Sequence, residues 1–198
     1  QNIIHQRTYN GPLIRVSASN TIQYFRGGGN NLQEGTTTLS TDRWYHIALV
    51  RQSNTAKIYI DGVEELSFSE PYAFDDSRAF VQIGAYGVTE GLEGYISNVR
   101  IVKGTALYTS AFTPTTEKLT TISGTSLLTC QSNRFIDNST NGHIITAQNT
   151  PKVVVFNPFG QESEYAVGEN KGSLYRPTAT SWTINSLSSS LDLSGDFT

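Results

Sequence analysis

Trp44-Tyr45-His46-Ile47-Ala48-Leu49-Val50-Arg51, Lys57-Ile58-Tyr59-Ile60-Asp61-Gly62 and Gly91-Leu92-Glu93-Gly94-Tyr95-Ile96-Ser97-Asn98-Val99-Arg100-Ile101 are the segments whose reading decides the fold of this chain. The first two are rich in β-branched and aromatic residues, are joined through Gln52-Ser53-Asn54-Thr55, and close on an Asp-Gly turn. That combination is a β-hairpin signal. The third reads as one strand between Gly94 and Lys103, followed by a single helical turn over Thr105 to Ser110.

Outward from this centre the pattern repeats. Residues 1–26 read as two strands around Asn10-Gly11-Pro12, with Ile14, Val16, Ile22 and Tyr24 alternating. Leu32 to Leu39 and Phe80 to Ala85 read as strands, separated by the loop Glu70-Pro71-Tyr72-Ala73-Phe74-Asp75-Asp76-Ser77, where Pro interrupts a ladder and the Asp pair favours a turn. Further strands are predicted near Ser126–Cys130, His143–Ala147 and Lys152–Phe156. Many short strands punctuated by turns argue for an all-β, antiparallel β-sandwich. Trp44, Ile47, Leu49, Ile58, Ile60, Val81, Ile83, Ile96, Val99 and Ile101 are the expected core, with the Trp44 indole N–H requiring an internal acceptor.

The elements W-x-H-x-A-x-V-R, K-x-Y-x-D-G and G-x-I-x-x-V-R-I, in this order and followed by Ala106-Leu107-Tyr108, resemble the laminin-G-like jelly roll of the concanavalin-A-like lectin/glucanase superfamily. Gly104 to Tyr108 leading into Phe112-Thr113-Pro114, then Leu127 to Asn133 and Asn157-Pro158-Phe159, are similar to the variant common in phage virion and tail proteins and in bacterial surface proteins. The resemblance implies the jelly-roll fold. It leaves the function open among structural modules, lectins and glycoside hydrolases.

With 14 Lys+Arg against 17 Asp+Glu, a net charge of −3 and no basic run, the chain has no electrostatic footprint for a polyphosphate backbone, and nucleic acid is not an expected partner. The longest apolar run, Val153 to Phe156, is far short of the ~20 residues of a spanning helix, so membrane insertion is not expected. Ser and Thr supply 45 residues while charged residues are 16%, a neutral polar surface suited to exposed sheet faces and to extracellular life. Cys130 is alone, which excludes an intrachain disulfide and Cys-cluster metal sites; it reads as a small buried hydrophobe.

Glycoside hydrolysis requires two carboxyls on either side of a sugar, which alternation such as E-x-D-x-E on one strand supplies. This chain has none. Glu64 and Glu65 are consecutive and should leave a strand on opposite faces, and Glu90 and Glu93 read as solvated loop charges. His5, His46 and His143 lie far apart in sequence, and Gly27-Gly28-Gly29 lacks the Lys-Ser/Thr of a phosphate-binding loop. No enzyme activity is expected. For carbohydrate binding, Tyr72, Tyr86 and Arg78 lie in suitable loops, although an exposed loop tyrosine more often only packs. Relatives that bind Ca2+ at the sandwich rim suggest Asp75 and Asp76 as its ligands, helped by Asp42 or Glu90, against the simpler reading as a turn. Asn138-Ser139-Thr140 is an N-glycosylation sequon.

Residues 1–159 are expected to form the major part of the jelly roll without its opening strands, and 160–171 a linker. Residues 172–198 end in Leu191-Asp192-Leu193-Ser194-Gly195-Asp196-Phe197-Thr198, which resembles the family's opening phrase before a strand of the type I-E-F-W. Because Met is absent and Gln1 opens directly into Asn2-Ile3-Ile4-His5, the chain reads as a processed product or a fragment. It is a window on tandem jelly rolls, a circularly permuted domain, or a subunit whose terminal segment completes a neighbour. An exposed sheet edge invites strand addition, so the expected partners are copies of itself or adjacent repeats, joined head-to-tail through 172–198 and the strands near Ile3–Val16. The expected function is a structural or adhesive module of a viral tail or bacterial surface filament. The alternative is a lectin module for surface glycans, calcium-dependent or not, with a glycoside hydrolase third.

Overall fold

The structure, a computed structural model, describes residues 1–6, 11–26, 30–72, 74, 80–87, 90–154 and 156–159. The chain divides into two units, Gln1–Glu162 and Ser163–Thr198. The expected linker and terminal segment lie outside the described residues, as do Asp75, Asp76 and Arg78.

Twelve strands and no helix make up the described residues. They are β1 (Asn2–Gln6), β2 (Pro12–Val16), β3 (Ile22–Arg26), β4 (Asn30–Glu34), β5 (Ile47–Gln52), β6 (Thr55–Ile60), β7 (Val63–Ser69), β8 (Val81–Ile83), β9 (Ala85–Tyr86), β10 (Glu90–Gly91), β11 (Val99–Val102) and β12 (Thr125–Thr129). A five-stranded sheet runs β4-β3-β2-β1-β8 and a three-stranded sheet β5-β6-β7, with β10-β9 and β11-β12 as small pairs. Every pairing is antiparallel. The all-β jelly-roll sandwich expected from the sequence is the fold found.

The core lies between the two larger sheets. Ile14, Ile22 and Tyr24 come from β2 and β3, Ile58 and Ile60 from β6, and Ile3, Ile4, Val16, Ile47, Leu49, Leu66 and Phe68 pack against them. Full burial of each such side chain contributes roughly 1.5–3 kcal/mol. Tyr24 also meets Phe68 of the facing sheet at 4.7 Å between ring centroids. Val81 belongs elsewhere: it pairs with Gln6 at the end of the sheet's outermost strand and stays 38% exposed.

The outer face of the three-stranded sheet is also covered. Alternation along β6 sends Ile58 and Ile60 inward and Lys57 and Tyr59 outward, yet Tyr59 is fully buried because Phe112 lies over it. The predicted helical turn over 105–110 does not form. The segment instead crosses the sheet as an irregular strap whose Tyr108 and Phe112 rings stack 3.7 Å apart, with His46 edge-on to both. Phe112 N–H donates to Gly62 O at 3.0 Å, pinning the strap to the Asp-Gly turn. Burial presses His46 downward in pKa, which keeps it neutral at pH 7.

Other strands stop early, each for an identifiable reason. The strand predicted over Leu32–Leu39 ends at Glu34, because the Thr36 and Thr37 amides donate to the Glu65 carboxylate. The strand predicted from Gly94 begins at Val99, directly after Asn98 in a left-handed conformation (φ 56°). Gly84 (φ 70°) splits Phe80–Ala85 into β8 and β9. Residues 143–147 form no strand, since the His143 amide is taken by Asp137, and Phe156 packs on Trp44 at 5.3 Å instead of entering a ladder. The Trp44 indole N–H, for which an acceptor was expected, has none among the described residues.

Asp137 closes the free side of β12. Its carboxylate accepts from the amides of Leu128 (3.0 Å), Ser139 (2.8 Å) and His143 (2.9 Å) and from the Ser139 hydroxyl (2.8 Å). Burial pushes this carboxyl up, but the four donors outweigh it and bring it down to about 2. A depressed acid stabilises the fold above its unfolded value, and that contribution disappears as pH falls through the folded value. About 2 kcal/mol should therefore be lost between roughly pH 5 and pH 2. Urea denaturation across that range should show this loss in the native chain and a flatter profile in Asp137→Asn; equal slopes would contradict the assignment.

Candidate functional site

The sequence-selected tyrosines do not form one site. Tyr72, just after β7 and 52% exposed, lies under the Arg26 guanidinium at 3.8 Å. Tyr86, on β9 and 45% exposed, rests against His5 at 4.8 Å. No contact joins the two rings among the described residues. The Asn138 side-chain nitrogen, the atom a glycan would occupy, is enclosed in the fold, while the backbone amide of Asn138 donates to Leu128 O.

Among the described residues no three His, Cys, Asp or Glu side chains converge as metal ligands. Of the suggested helpers, Asp42 sits in an exposed left-handed turn (φ 60°). His46 is enclosed by aromatic rings, and His143 belongs to the Asp137 loop. The Cys130 thiol is half-buried and pushed upward by burial, so it is a poor nucleophile at neutral pH.

Glu70 opens the loop after β7, as read from the sequence, and is also the most deeply buried carboxylate of the described residues. Tyr24 Oη donates to it at 2.9 Å, Asn31 Nδ2 at 2.7 Å, and Arg26 pairs with it at 3.3 Å. Its backbone carbonyl accepts from Arg51 Nε at 3.0 Å. Burial pushes the carboxyl up, yet the donors from Asn31, Tyr24 and Arg26 prevail and hold it below the usual glutamate range. Glu64 and Glu65 do diverge: Glu64 pairs with Lys57 at 2.7 Å, whereas Glu65 turns to Thr36 and Thr37.

One concave feature sits on the outer face of the three-stranded sheet. Val50 and Lys57, with Gln52, Ser53 and Thr55 at the hairpin end, face Tyr108 and Thr109 of the strap across a cleft of about 350 Å³. The two-residue hairpin turn, in which Ser53 adopts φ 54°, sets Gln52 opposite Thr55 and gathers their polar side chains at the cleft mouth. Sequence reading passed over this site because its walls are about fifty residues apart. The spacing of Tyr108 and Phe112 was its one local sign.

Comparison with known proteins agrees with this architecture. No curated protein and no solved structure gives a match. A family model, Laminin_G_3, matches residues 1–109, more than half of the chain and the region that holds both larger sheets and the ring of Tyr108. The hairpin and its Asp-Gly turn are thus parts of a known plan, and the chain belongs to the Laminin_G_3 family of the concanavalin A-like lectin/glucanases superfamily.

Proposed function

We propose that this domain is a non-catalytic structural or adhesive module of an extracellular fibre or filament, on a virion or a cell surface, that associates head-to-tail with copies of itself or with adjacent repeats. The observation that carries the non-catalytic part is the use made of the carboxylates. Glu34 is bound by Thr21, Glu65 by Thr36 and Thr37, Glu70 by Tyr24, Asn31 and Arg26, and Asp137 by its own loop. A glycosidase acid needs the opposite condition, a carboxyl raised toward neutrality beside a sugar cleft.

The assembly part rests on sheet edges. β1 and β2, which the sequence suggested as the acceptor, are interior strands with both sides paired, so the acceptor must be another strand. The β4 and β7 edges are stitched to each other, through Asn31 Nδ2 to Ser69 O at 3.0 Å and through Glu65. Of the other edge strands among the described residues, β5 is the longest at six residues, which makes it the favoured acceptor for a strand donated by residues 172–198. Sedimentation of the full chain should show concentration-dependent oligomers, and deletion of 172–198 should abolish them. A truncated chain that assembles as the full one does would overturn this reading.

A second reading, a lectin module for surface glycans, is favoured by the cleft beside Tyr108. A calcium ion held by Asp75 and Asp76 is a separate proposal within it, tested by whether a chelator reduces glycan binding.

A further inference from the structure

We infer that the cleft between the β5–β6 hairpin and Tyr108 is a binding site for a neutral saccharide of one or two pyranose rings. The inference rests on the lectin reading and assigns it a place. A pyranose offers an apolar C–H face and a rim of hydroxyls, so its site needs a fixed aromatic wall opposite uncommitted polar groups.

Both are found here. Phe112 stacks on one face of the Tyr108 ring at 3.7 Å and 8° from parallel, and His46 meets the pair edge-on. The ring is thus held before any ligand arrives, and Tyr108 is the aromatic residue of the cleft lining. Little side-chain freedom remains to be lost on binding. Across from it, the side-chain amide of Gln52 and the hydroxyls of Thr55 and Thr109 make no hydrogen bond among the described residues, so they are available to sugar hydroxyls. Around Tyr72 the situation is reversed, because Arg26 and Glu70 are already bonded to each other.

Charge and size narrow the ligand class. Lys57 is the one charged residue of the lining, and Glu64 at 2.7 Å compensates it. An anionic sugar would have to compete with that carboxylate, whereas a neutral one can use the ammonium as a donor and pack on its methylene stem. The volume of about 350 Å³ lies at the small end of ligand pockets, roughly 300–1,000 Å³. That suits a terminal residue of a glycan or a disaccharide.

The test is saturation-transfer NMR and calorimetry on the full chain with glucose, galactose, N-acetylglucosamine, cellobiose and lactose, and with sialyllactose as the anionic comparison. We expect at least one neutral sugar to bind, with Kd raised about tenfold in Tyr108→Ala and about threefold in Gln52→Ala. Gln52 is exposed and makes no side-chain bond among the described residues, so its variant tests the site without threatening the fold. Tyr72→Ala and Tyr86→Ala should bind as the native chain does. Binding that survives Gln52→Ala and Tyr108→Ala but is lost in either of those two overturns the site and leaves the lectin reading standing. Tighter binding of sialyllactose than of lactose overturns the neutral class. No binding of any sugar in the panel overturns the lectin reading and the site with it.

Discussion

Replacing Gly62 with alanine is expected to destabilise the domain by at least ~3 kcal/mol. Two costs combine. Gly62 has φ +81°, where an L-residue is strained by roughly 1–2 kcal/mol. A Cβ there would also stand 1.8 Å from the backbone oxygen of Phe112. Backbone cannot rotate away as a side chain can, so the strap itself must lift. Lifting breaks the hydrogen bond from Phe112 N–H to Gly62 O and uncovers Tyr59, which is otherwise fully buried. Urea denaturation should report the loss, and a hydrophobic dye should report the opened outer face even in the native baseline. Phe112→Ala, which removes the covering ring but keeps the turn, should open the same face. A Gly62→Ala domain within ~1 kcal/mol of the native chain would mean that the strap is not pinned at this turn.

That turn also shows what the sequence could and could not reveal. The hairpin was legible because three local signals agree: β-branched alternation in Ile47 to Arg51 and Lys57 to Ile60, the short polar connection Gln52-Ser53-Asn54-Thr55, and Asp-Gly at its end. Its register follows directly, from Gln52 opposite Thr55 to Ile47 opposite Ile60. β12 was legible near Ser126–Cys130, whereas residues 1–26, read as two strands, hold three, β1, β2 and β3. Strand ends were not, because they are decided by acceptors remote in sequence. Glu65 takes the amides of Thr36 and Thr37 from a distance of 28 residues or more, and no local pattern in Leu32–Leu39 announces it. The strap is a tertiary override of the same kind: burying Tyr59 under Phe112 outweighs the weak helical tendency of Thr105–Ser110.

The candidate site divides along the same line. Tyr72 and Tyr86 stood out because loop aromatics are visible in a sequence, yet each is held by a different element. The cleft is assembled from a hairpin end and a strap, neither of which carries a motif. What singles out Tyr108 is its partner Phe112, and that relation exists only once the strap lies on the sheet.

Glu70→Ala is the second large expected effect, a loss of about 3–5 kcal/mol at pH 7. The carboxylate is fully buried and joins the five-stranded sheet, through Tyr24 and Arg26, to the end of β7 in the facing sheet. Truncation would leave the buried Tyr24 hydroxyl and the Arg26 guanidinium without this acceptor and the Asn31 amide with Ser69 O alone. Glu70→Gln preserves volume and one acceptor oxygen but turns an NH2 toward these donors, so about 1–3 kcal/mol should be lost. Tyr24→Phe separates the hydroxyl from the ring: combined with Glu70→Ala, the double substitution should cost less than the sum of the two, since the hydroxyl no longer lacks a partner. The pH response gives an independent check. Because the folded carboxyl lies below its ordinary value, its contribution is complete above that value and fades as pH falls through the folded one. The native chain should therefore lose its advantage over Glu70→Gln on acidification. A difference between the two that persists unchanged to pH 2 would show that packing, and not the charge on Glu70, holds this end of the sandwich together.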